Sequence, residues 1–199
     1  MYNSIIQFKT NIGYVRNLST IYYSLKSLAA NADLSDILRA QLLMSVSAMD
    51  HFVHNSIEEG MLEIYQGSRP PTMSFNDFTV KMKDHQFALV NTGNTSWLRV
   101  EIQGQIGHNS YQKSKNIAKG VRLISDRDLW VDVGSIVHER PDIIARKLDL
   151  IVTRRNTIVH QADNDPSNPG QRLNITESEI SDAIDLIEKL GDAIFQVIR

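Results

Sequence analysis

Apolar residues recur three or four positions apart along most of this chain, a period that suits α-helices and leaves little room for strands. Ile5, Phe8, Ile12, Val15, Leu18, Tyr22 and Leu25 predict a first helix over 3–30, weakened near its middle by Gly13. Leu38, Leu42, Val46, Met49, Val53, Ile57 and Met61 form a second stripe. Asp33 or Ser35 is the expected N-cap of that helix, and Gly60 and Gly67, ahead of Arg-Pro-Pro, its expected end. A shorter helix is expected over 75–90 after Ser74, then two more over 96–106 and 111–124, with Ile106-Gly-His-Asn-Ser110 breaking between them. Residues 126–138 fit either helix or strand. Pro141 suits the first turn of a helix running to about 162, because its missing N–H costs nothing there. A loop of turn formers follows over 163–171. Thr176-Glu-Ser-Glu179 is then a capping box that opens a last helix. The expected fold class is all-α, with 1–199 forming a single domain.

With 199 residues the chain is long enough to bury a core without staples. It has no cysteine, which excludes a disulfide framework, a thiolate zinc site and a cysteine nucleophile, and which fits a reducing compartment. No segment has the layout of a signal peptide or the roughly 18 uninterrupted apolar residues of a membrane span, so the expectation is a cytoplasmic protein with no membrane partner. The net charge of −2 argues against a protein that coats nucleic acid by charge alone. It leaves room for a small cationic site, or for a dimer that gathers charge in one groove. Neither a Gly-rich phosphate loop nor a Ser or Thr nucleophile signature is present, and no cofactor or metal is expected.

One segment breaks its own pattern. The helix over 141–162 carries an apolar stripe at Ile144, Leu148, Ile151 and Ile158, and Arg155 falls inside it. A guanidinium cannot shed its charge, so such a position is costly unless the group is paired or lines a cavity. Asn156 and His160 are four apart and share a face. Arg155 and His160 are five apart, roughly 140° around the axis. They converge only if the arginine bends round, the helix end loosens, or a second subunit completes the site. The alternative is structural: Arg155 paired with an acid such as Asp50, and His160 simply favourable near a helix C-terminus.

This combination resembles the HEPN superfamily. Arg155-Asn156-Thr157-Ile158-Val159-His160 matches its Arg–polar–His motif, ahead of Asp163-Asn-Asp and the capped last helix. The run Leu150-Ile-Val-Thr-Arg-Arg-Asn-Thr-Ile-Val-His160 is similar to the RiboL-PSP-HEPN subgroup. So are Ser47-Ala-Met-Asp50 with Val53-His54, and Gln112-Lys-Ser-Lys-Asn-Ile117. The resemblance covers the chain from about residue 34, with 1–32 as an additional N-terminal helix. It implies an antiparallel helical bundle with short accessory helices. It also implies a metal-independent endoribonuclease of the toxin–antitoxin or phage-defence kind, homodimeric, with the two motifs facing each other across the two-fold axis. The substrate would be RNA, with tRNA one candidate, and an antitoxin or defence partner protein is a possible companion. By the same resemblance His160 is the general acid or base, Arg155 stabilises charge on the scissile phosphate and Asn156 orients phosphate or ribose. A HEPN RNA- or nucleotide-binding adaptor without activity is the alternative, and a helical scaffold whose motif is accidental is a third reading.

Further candidates for the substrate path are Arg154, which lies within the motif's spacing, and Asp50 and His54, as residues of the cleft. Asp50, His54 and Glu58 share a face, which also suits a polar helix flank or a metal site. Lys115 and Lys119, beside Lys113, Arg122 and Tyr111, offer a basic stretch that guides RNA or is merely a solvated helix face.

Overall fold

The computed structural model describes residues 2–91 and 93–199. Among the described residues the chain forms nine helices and no strand, with one isolated antiparallel bridge between Asn164 and Arg172. Four helices are long: α1 (Tyr2–Leu28), α2 (Ser35–Tyr65), α8 (Pro141–Gln161) and α9 (Glu177–Ile198). Five short ones lie between α2 and α8: α3 (Met73–Asn76), α4 (Met82–Val90), α5 (Ser96–Ile106), α6 (Ser114–Val121) and α7 (Leu129–Val137). None of the described helices is long and apolar enough to cross a membrane.

Side-chain pairs fix the directions of the long helices. Ser4 meets Glu59 and Ser19 meets Gln41, so α1 runs against α2. Lys9 pairs with Asp192, Arg16 with Asp185 and Glu188, and Lys26 with Glu177, so α1 also runs against α9. Arg39 of α2 meets Asp163, just beyond the end of α8, while Asp50 and Asp149 both hold the chain entering α6. The helix α8 therefore runs antiparallel to α2. Phe8 of α1 and Phe52 of α2 stack with centroids 5.0 Å apart at the centre of the main core, which Ile57, Ile102, Ile117, Ile144, Leu148 and Ile194 complete. Each such buried side chain contributes roughly 1.5–3 kcal/mol of transfer free energy. Gly191 of α9 sits where a Cβ would run into the Phe8 ring, and this lets α1 and α9 approach closely. A smaller cluster of Val15, Tyr22, Leu38, Leu42, Ile180 and Ile184 closes the far end, with Ile151 and Ile158 of α8 packed against it.

Several sequence expectations are met and others are corrected. Pro141 opens α8, and the Thr176–Glu179 capping box is formed in both directions. Residues 126–138 resolve as helix because Asp128 accepts the Val131 N–H as N-cap. Neither expected cap serves α2. Its cap is Leu34, which makes no side-chain bond; Asp33 turns the chain by accepting from the Ser35 N–H, and the Ser35 hydroxyl accepts from Arg39. Gly60 does not end α2 but lies inside it, against Ile124, where a Cβ would come within 2.7 Å. The helix expected over 75–90 is two. Thr72, rather than Ser74, caps α3 and also donates to the Leu123 carbonyl, and the chain is not helical again until Met82.

Candidate functional site

The helix α8 buries Ile144, Leu148 and Val152 in a row, and Arg155 is the next residue on that line. Its side chain is half-buried, flanked by half-buried Ile151 and Ile158. Its Nη1 donates to Asn156 Oδ1 at 3.0 Å, and its Nε is buried with no hydrogen-bond partner. No carboxylate among the described residues meets it. In particular Asp50, the acid considered for it, is engaged elsewhere. One Asp50 oxygen accepts the Tyr111 N–H at 2.6 Å and the other accepts Gln112 Nε2 at 3.0 Å. A permanent cation with a desolvated, unused donor is receptive to an anion.

His160 stands exposed in the last turn of α8, without a hydrogen-bond partner among the described residues. By helical phase Asp149, Asn156 and His160 lie within about 40° of one another. Asp149 is occupied: it accepts the Ser114 N–H at 2.8 Å and the Ser114 hydroxyl at 3.1 Å. The polar face of α8 therefore lies beside the start of α6, whose Ser114 carbonyl also accepts from Trp130 Nε1.

Arg154 has a different setting. It reaches Asp163 through both terminal nitrogens, at 2.7 and 3.0 Å, and donates to the Asn174 carbonyl at 3.0 Å. Asp163 is fully buried, and Arg39 Nε reaches the same carboxylate at 2.7 Å while its Nη2 donates to the Leu173 carbonyl. Arg154 is thus spent on the fold in this chain. Ala162 and Asp163 both adopt left-handed backbone, with φ of 50° and 59°, which ends α8 and turns the Asp163 side chain inward. The knot of Arg39, Arg154 and Asp163 clamps the turn that carries His160. Sequence reasoning missed Arg39 and the clamp. A cation beside Leu38 and Leu42 on an apolar stripe was the available signal, the same signal that singled out Arg155.

The remaining candidates sort by their partners. Asp50 and His54 grip the loop before α6. His54 Nε2 donates to the Asn109 carbonyl at 3.0 Å, and its ring meets Tyr111 edge-on at 4.6 Å. Burial pushes the Tyr111 hydroxyl pKa above its ordinary value, against the Asn109 amide that donates to it. Glu58 faces away, to Arg99 and Gln103, so the three residues do not converge on a metal position. Among the described residues no three His, Asp or Glu side chains do. Lys115 and Lys119 are exposed on α6 and have no ion-pair partner among the described residues.

Comparison with known proteins adds one match. The RiboL-PSP-HEPN family model matches residues 9–199, and so takes in most of α1 as well as the rest of the bundle. No curated protein and no solved structure matches the chain.

Proposed function

The chain belongs to the RiboL-PSP-HEPN family, and on that premise we propose that it is a metal-independent endoribonuclease whose site is built from Arg155, Asn156 and His160. Family membership by itself suggests ribonuclease or nucleotide-binding function, and RNA as partner, in general terms. The observation that carries the finer reading is the unpaired guanidinium of Arg155, half-buried on the line of the α8 core and one turn from an imidazole that no neighbour restrains.

RNA brings its own nucleophile. A base takes the proton of the 2′-hydroxyl, the 2′-oxygen bonds to phosphorus, and the bond from phosphorus to the 5′-oxygen breaks. That oxygen leaves with a proton, giving a 2′,3′-cyclic phosphate and a 5′-hydroxyl end. The ordinary pKa of imidazole suits it to either proton transfer near neutrality. Arg155 stabilises the charge that builds on the non-bridging oxygens. The Asn156 amide, its oxygen held by Arg155, keeps N–H groups for phosphate or ribose.

Within one chain Arg155 turns to Asn156, and His160 lies roughly 140° further round the helix. A homodimer that faces two α8 ends supplies two imidazoles, one as base and one as acid. Exposed Leu150 and Val159 on α8 and Met44 on α2 give such a contact apolar surface. A toxin–antitoxin or phage-defence setting, in the cytoplasm and with a partner protein, fits this activity. A second reading, binding of RNA or a nucleotide without cleavage, is favoured by the lack of any group that orients the His160 ring.

The test is incubation of wild type, His160→Ala and Arg155→Ala with tRNA or total RNA in EDTA, followed by mapping of 5′ ends. Cleavage by wild type that leaves 5′-hydroxyl ends and is lost in both variants is the expected result. Equal cleavage by all three, or none by any, removes the assignment.

A further inference from the structure

Residues 102–125 contain no Asp or Glu but carry Lys113, Lys115, Lys119 and Arg122. None of these four cations meets a carboxylate among the described residues. Cations elsewhere are largely matched: α9 acids take Lys9, Arg16 and Lys26, Glu58 takes Arg99, Asp132 takes Arg127 and Glu139 takes Lys147. A net charge of −2 therefore conceals a local positive field.

Lys119 and Arg122 line a cavity of about 350 Å³ together with Asn109, Asn116, Ile106 and Leu123. Tyr111 forms part of the wall, and its ring fits there because residue 120 is glycine; a Cβ would come within 2.5 Å of that ring. The two amides are pre-oriented. Asn116 Nδ2 donates to the Ser110 carbonyl at 2.8 Å, and Asn109 Nδ2 donates to the Tyr111 hydroxyl at 3.1 Å. Each amide oxygen is left without a donor among the described residues. The volume suits a small-molecule-sized guest, and the lining combines apolar walls, two cations and two open acceptors.

We infer that this cavity is a nucleotide subsite: Lys119 and Arg122 take the phosphate, and the Asn109 and Asn116 amide oxygens accept from the exocyclic amine of a base. Unstacked bases are read by such contacts on their edges. The Asp50 and His54 bonds to the loop at 109–112 hold one wall in place from α2. The inference rests on the ribonuclease reading only for the source of the nucleotide, an RNA strand cut at the motif. Asp149, which holds the start of α6, and His160 are separated by about 16 Å of helix rise, so a strand reaching both sites spans several nucleotides.

Calorimetric titration of the full chain with cytidine monophosphate, uridine monophosphate and inorganic phosphate tests this. The proteins are wild type, Lys119→Ala/Arg122→Ala, the single reversal Lys119→Glu, and His160→Ala. Wild type and His160→Ala should bind the cytidine nucleotide alike and severalfold more tightly than the uridine nucleotide or phosphate. Both α6 variants, altered only at exposed positions, should lose at least tenfold with unchanged thermal midpoints. No cytidine nucleotide binding by wild type, equal binding of all three ligands, or binding untouched by the α6 variants overturns the inference. Displacement of the nucleotide by a short single-stranded RNA supports the subsite with a strand as its source; retention under saturating RNA supports it with a free nucleotide as its source. Nucleotide binding that depends on α6, in a protein that cuts no RNA, leaves the subsite standing and removes the ribonuclease. Cleavage by a wild type that binds no nucleotide does the reverse.

Discussion

Arg154 and Arg155 are adjacent in sequence and opposite in circumstance. Arg154 spends its donors on buried Asp163 and a neighbouring carbonyl, beside Arg39, which does the same. Arg155 keeps a buried Nε with no partner and meets only the amide beside it. On one side of the end of α8 every charge is matched; on the other, a cation and an imidazole are left open. Saturated polar groups hold a fold, whereas unsatisfied ones bear their cost for another reason.

The matched side should give the largest effect. Asp163→Ala leaves Arg39, only 6% exposed, buried without its counter-charge. The expected loss is about 3–5 kcal/mol by denaturant titration. A change under about 1 kcal/mol would mean that the clamp does not hold the turn. On the open side, His160→Ala should leave stability within about 0.5 kcal/mol, as for most exposed positions, while lowering RNA cleavage roughly 10²–10⁴-fold. A loss of both together would make His160 structural. The sharpest contrast is the pair of single variants. Arg154→Ala should cost about 1.5–3 kcal/mol through its charged hydrogen bonds. Arg155→Ala should cost far less, or even stabilise, yet abolish cleavage; reversed stabilities would exchange the two assignments.

The smallest effect lies away from α8 and serves as a control. Lys26, and then Tyr22, hold the Glu177 carboxyl below its ordinary range. A depressed folded pKa gives stability that is present above the ordinary carboxylate range and is lost as pH falls through the folded value. The thermal midpoint should therefore drop on acidification below about pH 4, the ordinary glutamate range. Glu177→Gln should remove only this seam's share of the drop and leave cleavage near neutrality unchanged. An identical acid profile in the variant would assign the drop to other carboxylates.

The starts of α8 and α9 were legible in the sequence because single residue types act locally there, Pro141 at a first turn and Thr176 with Glu179 as a reciprocal cap. Arg155 was legible as a charge out of phase with its own helix. The clamp was not, because Arg39 and Asp163 lie 124 positions apart and each alone reads as ordinary, a charge on a helix and an acid among turn formers. The break between α3 and α4 was hidden for a related reason. Phe75, Phe78 and Met82 keep a helical spacing across it, while the capping of α3 by Thr72 depends on docking against Leu123, far along the chain. Gly60 reads as a helix stop from its intrinsic propensity; only contact with Ile124 explains why it belongs inside α2.

The antiparallel pairing of α1 with α9 has a practical corollary. Lys9 sits level with Asp192 and Lys26 with Glu177, so the chain enters α1 and leaves α9 at one pole, while His160 crowns the other. Affinity tags, fluorophores or fusion partners grafted before Tyr2 or after Ile198 would project about 30 Å from the imidazole. A short peptide joining those two residues would make a circular permutant, with new ends free to be cut in the loop before Thr72.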